Sequence, residues 1–179
     1  MKKVLVISAS MRKDGNSYRL ARAFEQGAKD AGHNVEFADL RDKTLNFCRG
    51  CYSCEKTQRC YMHDDADAVT EKMREADVLV FATPVYAYNI CGSLKTLMDR
   101  CNPAYFGGYR FREVYVLISA AQNNDRVENS VEQAVQGFVD VFKKSRFRGS
   151  VFAGGIDKVG DIEGHPALEE AYRAGRSIS

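Results

Sequence analysis

Residues 77–84, DVLVFATP, contain an apolar run from Val78 to Ala82 with no polar position alternating through it. A strand of this kind has no face to turn toward water, so it must be covered on both sides, and a parallel sheet sandwiched between helices does this. Other segments repeat the requirement. Val4 to Ile7 is a short apolar run, and NVEFADL (34–40), EVYVLISAA (113–121) and SVFAGGI (150–156) read as further strands. Between them, apolar residues recur at helical spacing. Leu20, Ala23, Phe24, Gly27, Ala28 and Ala31 form one stripe, stopped by Gly32, and Val69, Met73 and Ala76 form another after Asp64. Leu94, Leu97, Met98 and Cys101 make a third, Val127 to Phe142 a fourth, and Leu168, Ala171, Tyr172 and Gly175 the last. Strands alternating with helices in this way predict a doubly wound α/β sheet.

Composition narrows the function. A chain of 179 residues predicts one domain over 1–179, and 45% hydrophobic with 28% charged residues is the balance of a folded globular protein. The net charge of +2 comes without a dense basic stripe, which argues against nucleic acid as a partner. The opening MKKVLVISASM imitates a secretory leader, but its continuous apolar stretch is shorter than the roughly 7–15 residues such a leader needs. The expectation is a cytoplasmic protein that does not enter a membrane.

Open parallel sheets bind ligands beyond the carboxyl ends of their strands. Three loops follow apolar strands there, at 8–17, 83–92 and 119–125. The first, SASMRKDGNS, places Ser8, Ser10, Arg12, Gly15, Asn16 and Ser17 just before a helix. Free N–H groups and a partial positive charge at a helix amino terminus suit a phosphate, although Asn16 or Ser17 could simply cap the helix. Neither a P-loop nor a G-x-G-x-x-G motif is present, which argues against a nucleoside triphosphatase or a Rossmann dehydrogenase. In the second loop, ATPVYAYNICGSLKTLMDR (82–100), Pro84 stiffens the exit from the strand, and Tyr86 or Tyr88 offers an aromatic face. Lys95, Asp99 and Arg100 read as a solvated pair or a subunit contact, and Cys91 and Cys101 as small buried hydrophobes. The third loop, SAAQNNDR, contributes backbone groups and Gln122.

Cys48, Cys51, Cys54 and Cys60 follow a C-x2-C-x2-C-x5-C spacing within the segment 47–63. In a reducing compartment such spacing favours metal or catalytic chemistry over disulfides. An iron-sulfur cluster, free or structural thiols, a zinc ion and redox-active thiols all remain open here. His63, near Cys60, reads as a surface residue before the next helix.

The S-x-R-x-x-x-N-S pattern at Ser10, Arg12, Asn16 and Ser17, together with the Pro-Val-Tyr segment, resembles the flavodoxin-like NAD(P)H-dependent FMN reductase superfamily. The resemblance runs nearly the whole length of the chain. It implies a three-layer sandwich with a five-stranded parallel sheet in the order 2-1-3-4-5 and helices on both faces. FMN would be held by Ser8, Ser10, Arg12, Asn16 and Ser17. Its ring would lie along Pro84, Val85, Tyr86 and Asn89, with Tyr88 as an alternative stacking residue and Ala120 and Gln122 at the ring's polar edge. The cysteine segment is similar to that of the iron-sulfur flavoprotein branch, where Cys48, Cys51, Cys54 and Cys60 would ligate a 4Fe-4S cluster. A like segment also occurs in members without a known cluster.

The implied activity is transfer of electrons from NADH or NADPH through FMN to a quinone, azo, nitro or flavin acceptor, as a homodimer or homotetramer. The alternatives are an iron-sulfur flavoprotein exchanging electrons with a protein partner and a non-catalytic sensor or binding module. No side chain is assigned as a catalytic acid or base, since the cofactor carries the chemistry. Residues 104–112, rich in aromatics with a Gly107-Gly108 pair, read either as a cover over the flavin or as a plain surface connection.

Overall fold

A computed structural model describes all 179 residues. The strands with the most continuous apolar sequence, β1 (Lys3–Ser8), β3 (Val78–Tyr86) and β5 (Glu113–Ser119), take the three inner positions of the sheet. Strands β2 (Asn34–Asp39) and β6 (Arg146–Ala153), which keep charged side chains, take the edges, where one side of the ladder faces solvent. These five pair in parallel in the order β2-β1-β3-β5-β6. A two-residue strand, β4 (Asn89–Ile90), folds back antiparallel on the end of β3. With β4 set aside, the order is the expected 2-1-3-4-5 of the flavodoxin-like arrangement.

Period-two alternation divides the inner strands between two cores. Val4, Val6, Val78, Val80 and Leu117 pack under α1 (Asn16–Asp30) and α7 (Pro166–Arg176). Leu5, Ile7, Leu79, Phe81, Val116 and Ile118 pack under α3 (Asp65–Glu75), α4 (Gly92–Asp99) and α6 (Asp125–Val141). Two helical stripes include a glycine for a reason visible only here. A Cβ at Gly27 would lie 2.0 Å from the Tyr172 carbonyl oxygen, and one at Gly175 would lie 2.2 Å from that of Phe24, so α1 and α7 meet backbone to backbone.

The last strand is Arg146–Ala153 rather than 150–156. Apolarity alone marked SVFAGGI, but an edge strand tolerates Arg146 and Arg148. A bulge at Gly149 (φ +140°) shifts the register between Val114 and Tyr115, and the chain leaves the sheet before Gly154. Two short helices were not anticipated, α2 (Ser53–Thr57) inside the cysteine segment and α5 (Asn102–Gly107). The region 104–112 is a surface connection and not a flavin cover. Arg74, at the end of α3, donates to the Gly107 and Gly108 carbonyls, and the Arg112 N–H donates to the Asp77 carbonyl, at the amino ends of β3 and β5. The ligand crevice of a doubly wound sheet opens at the opposite ends.

Candidate flavin and thiol sites

At the carboxyl end of β1 the chain turns into α1 around Gly15, which takes the N-cap position without any side-chain cap. The first N–H groups of α1 therefore lack a side-chain acceptor, and the helix dipole adds positive potential at the same point. A Cβ at Gly15 would fall 2.4 Å from Ser10 Oγ, so a larger residue there would displace the Ser10 hydroxyl from the cradle. The hydroxyls of Ser8 and Ser17 and Oδ1 of Asn16 are buried with no hydrogen-bond partner. Buried polar atoms are nearly always paired, and of these three Asn16 and Ser17 line the crevice, where a bound group can pair with them. Hydroxyls and backbone N–H groups can donate to a phosphate, and Asn16 Oδ1 can accept from a ligand alcohol.

The crevice beyond the cradle is built from four loops. Ser10, Arg12, Asn16, Ser17, Pro84, Val85, Tyr86 and Ala120 line one pocket of about 160 Å³, together with Ser119 and Asp157. An adjoining, mostly apolar pocket of about 200 Å³ is lined by Val85, Tyr88, Ala120, Gln122 and Val127. Shared walls at Val85, Ala120 and Ala121 join an anion-accepting end to an apolar end. That polarity fits FMN, with its phosphate at the helix and its ring against the apolar wall. Tyr86 and Asn89 pair across a tight hairpin whose central residues, Ala87 (φ +49°) and Tyr88 (φ +60°), both adopt the left-handed backbone of a type I′ turn. Neither is glycine, so this turn carries backbone strain that the antiparallel pairing of Tyr86 with Asn89 and Val85 with Ile90 must offset. The Arg126 guanidinium lies 4.7 Å from the centre of the Tyr88 ring.

Two of the expected residues lie outside these walls. Ser8 is fully buried beneath the cradle, and Asn89 spends its side-chain oxygen on the Ile90 N–H of its own turn (2.8 Å). A fourth loop, after β6, went unrecognised in the sequence. Asn16 Nδ2 donates to the Lys158 carbonyl at 3.0 Å and Arg12 donates to the Asp157 carbonyl, which ties the phosphate loop to residues far along the chain.

Cys48, Cys51, Cys54 and Cys60 all line a second, separate pocket of about 100 Å³. Burial raises the pKa of Cys54, with Cys60, Cys48 and Cys51 adding to the rise, whereas a hydrogen bond to Ser53 lowers that of Cys51. No three Cys, His, Asp or Glu side chains converge tightly enough to hold one metal ion. A zinc site needs four donors on one point. A cubane takes one thiolate at each of four irons, so its ligands stand further apart, and four thiols spaced around one pocket fit that demand better. Cys91 and Cys101 are buried away from this pocket, and burial pushes the Cys101 thiol up to about 12.

The profile of the family described as NADPH-dependent FMN reductase matches residues 2–155. The chain belongs to this family. It is accordingly an FMN-dependent oxidoreductase that works with a reduced nicotinamide. An iron-sulfur flavoprotein of Methanocaldococcus jannaschii is 36% identical over 133 residues, covering 73% of this chain and 68% of that protein. One from Archaeoglobus fulgidus is 39% identical over 110 residues, covering 62% of this chain and 54% of its own length. The chain thus spans about two thirds of the first relative and about half of the second. An azoreductase of Bacillus anthracis shares the fold, with a TM-score of 0.74 at 22% identity over 99% of this chain and 100% of that one. No helix of this FMN reductase family member is long and apolar enough to cross a membrane.

Sequence reasoning read Lys95, Asp99 and Arg100 as a solvated pair or a subunit contact. Lys95 and Asp99 do form an exposed pair at 2.6 Å, but Arg100 is buried. Its guanidinium binds both Asp64 carboxylate oxygens at 2.8 Å, the Asn46 and Met62 carbonyls, and Cys60 Sγ. Burial raises the Asp64 carboxyl, yet hydrogen bonds from Arg100 and Asn46 outweigh it and hold the value at about 2. Asp64, at the N-cap of α3, is 36 residues away along the chain, and nothing beside Arg100 in the sequence announces it.

Proposed function

We propose that the chain transfers electrons from NADH or NADPH through FMN to a small oxidised acceptor of the quinone, azo, nitro or flavin class. The observation that carries this reading is the pair of unpartnered buried groups on the crevice wall, Asn16 Oδ1 and Ser17 Oγ, at an uncapped helix start opening onto an apolar pocket. When bound, FMN supplies the hydride acceptor and the relay to the second substrate. Ser10, Ser17 and the first N–H groups of α1 bind its phosphate, and Arg12 screens the same anion from the mouth of the crevice. Pro84, Val85, Tyr86 and Ala120 orient the ring, and Tyr88 and Gln122 border the face left for nicotinamide and acceptor. The azoreductase likeness supports the acceptor class through its fold alone.

The test is an anaerobic visible spectrum of FMN-loaded protein before and after NADH or NADPH, followed by addition of a quinone or azo dye. Bleaching by the nicotinamide and recovery by the acceptor are expected. A flavin that neither nicotinamide can bleach rules the reading out.

A second reading is favoured by the four thiols around one pocket and by the named relatives: an iron-sulfur flavoprotein in which Cys48, Cys51, Cys54 and Cys60 hold a 4Fe-4S cluster that exchanges single electrons with a protein partner. Iron and acid-labile sulfide near four per chain after anaerobic reconstitution, lost in Cys48→Ala, are expected on this reading. A dimer or tetramer is part of the proposal, and sedimentation velocity tests it.

A further inference from the structure

Two of the four clustered sulfurs are met by donors from a single corner of the fold. The junction between α4 and α5 sends Arg100 Nη2 to Cys60 Sγ at 3.2 Å, and Asn102 Nδ2 lies 3.9 Å from Cys48 Sγ. Arg100 is the unusual member, since its side chain is 1% exposed. A guanidinium so far from water needs compensation, and its two Nη atoms receive it from both oxygens of Asp64 and from the Asn46 and Met62 carbonyls, while Nε stays buried without a partner. Those partners come from either side of the cysteine segment and leave the planar fork no freedom to swing. Asp64 balances the positive charge, so what reaches Cys60 is a directed N–H group held in place before anything binds. Besides Arg100, the segment is tied down by Arg59, whose guanidinium meets the buried Asp67 at 2.7 Å, and by Arg74, which donates to the Gln58 carbonyl at 3.4 Å. Helix α2 buries no residue, and Gly50, Tyr52 and Gln58 all take left-handed backbone.

We propose that Arg100 is the positioning residue of the thiol pocket: it pins the Cys60 sulfur to the end of α4 and, with a cluster bound, raises that cluster's reduction potential through the N–H to ligand sulfur bond. The second half rests on the iron-sulfur reading above, whereas the first half does not. Hydrogen bonds to ligand sulfurs stabilise the form that carries the extra electron, so removing this one moves the potential negative.

Two variants separate the role from simple loss of fold. Arg100→Lys keeps a cation beside Asp64 but cannot reach carboxylate and sulfur together. Arg100→Gln combined with Asp64→Asn removes both charges and leaves no unpaired ion in the interior. Hydrogen exchange on the metal-free, FMN-loaded protein reads the pinning. Residues 57–63 are expected to exchange roughly fivefold or more faster in both variants, with residues 8–17 unchanged. An EPR-monitored redox titration of the reconstituted protein reads the tuning. The reduced-to-oxidised ratio at a fixed potential is expected to fall about tenfold, 59 mV for a one-electron couple.

Unchanged exchange in both variants overturns the pinning. A cluster that forms in all three proteins with one common potential overturns the tuning. If the parent protein takes up no iron and sulfide, the iron-sulfur reading and the tuning fall together, and the exchange data still decide the pinning.

Discussion

The flavin crevice and the thiol pocket are built on opposite principles. The crevice sits at the carboxyl ends of buried strands, its polar atoms held by the sheet itself, and Ser8, Ser10, Asn16 and Ser17 are all buried. The thiol pocket hangs on a segment without a buried residue in its helix, and Cys48 and Cys51 are exposed. What orders it is polar: the Arg100–Asp64 pair, Asn46 on Asp64, and Arg59 on Asp67 at 2.7 Å. A site backed by a packed core tolerates the loss of one hydrogen bond, whereas a site tethered by a few buried ions depends on each of them.

The comparison breaks first at Arg100. Arg100→Ala strands the Asp64 carboxylate, and a loss of about 3–5 kcal/mol in unfolding free energy is expected from denaturant titration followed by circular dichroism. An equal loss from Ser8→Ala would erase the contrast between the two sites. Next in size is the cradle. Ser17→Ala removes one donor to a charged group, so FMN affinity is expected to fall roughly 10–100-fold in a flavin fluorescence titration, with stability little changed.

Acid sharpens the difference further. Asp64 lies below the ordinary value of 3.8 at about 2. Its stabilisation is present in full above the ordinary value and is lost as the pH falls toward about 2. On the order of 2 kcal/mol should disappear over that window in the parent protein and not in the Asp64→Asn, Arg100→Gln protein, as read by denaturant midpoints against pH.

Smaller effects follow at the rims. Arg126→Ala removes an exposed cation from the Tyr88 ring, for about 0.5–1 kcal/mol, so a few-fold weaker FMN affinity is expected in the same fluorescence titration. Lys95→Ala, one turn from Arg100, breaks only an exposed ion pair and should change the unfolding free energy by less than about 0.5 kcal/mol. A large effect there would mean that the end of α4 is held by its surface and not by its buried guanidinium.

Much of the architecture could be read directly from residue types. The apolar run at Val78 to Ala82 demanded cover on both faces and became the middle strand of the sheet. The hydroxyl-rich loop ending at Asn16 and Ser17 marked an uncapped helix start that lines the crevice, because a helix start is announced by neighbours in sequence. The failures share another cause. Arg146, Arg148 and Gly149 disguised the last strand, since edge position is not a property of the strand's own residues. Arg100 looked solvated because Lys95 and Asp99 sit at ordinary surface spacing, and Asp157 and Lys158 were silent because their carbonyls, not their side chains, receive Arg12 and Asn16.

By itself, then, the sequence determined the alternation of strands and helices, the two-sided burial of the sheet and the chemistry offered by the first loop, all of which depend on periodicity and on contacts a few residues apart. Only the tertiary structure decided that four loops share one crevice and that Arg100 reaches Cys60, 40 residues away along the chain. A buried ion and a carbonyl are chosen by distance through space and by the loss of water around them, and neither quantity is written in the order of the residues.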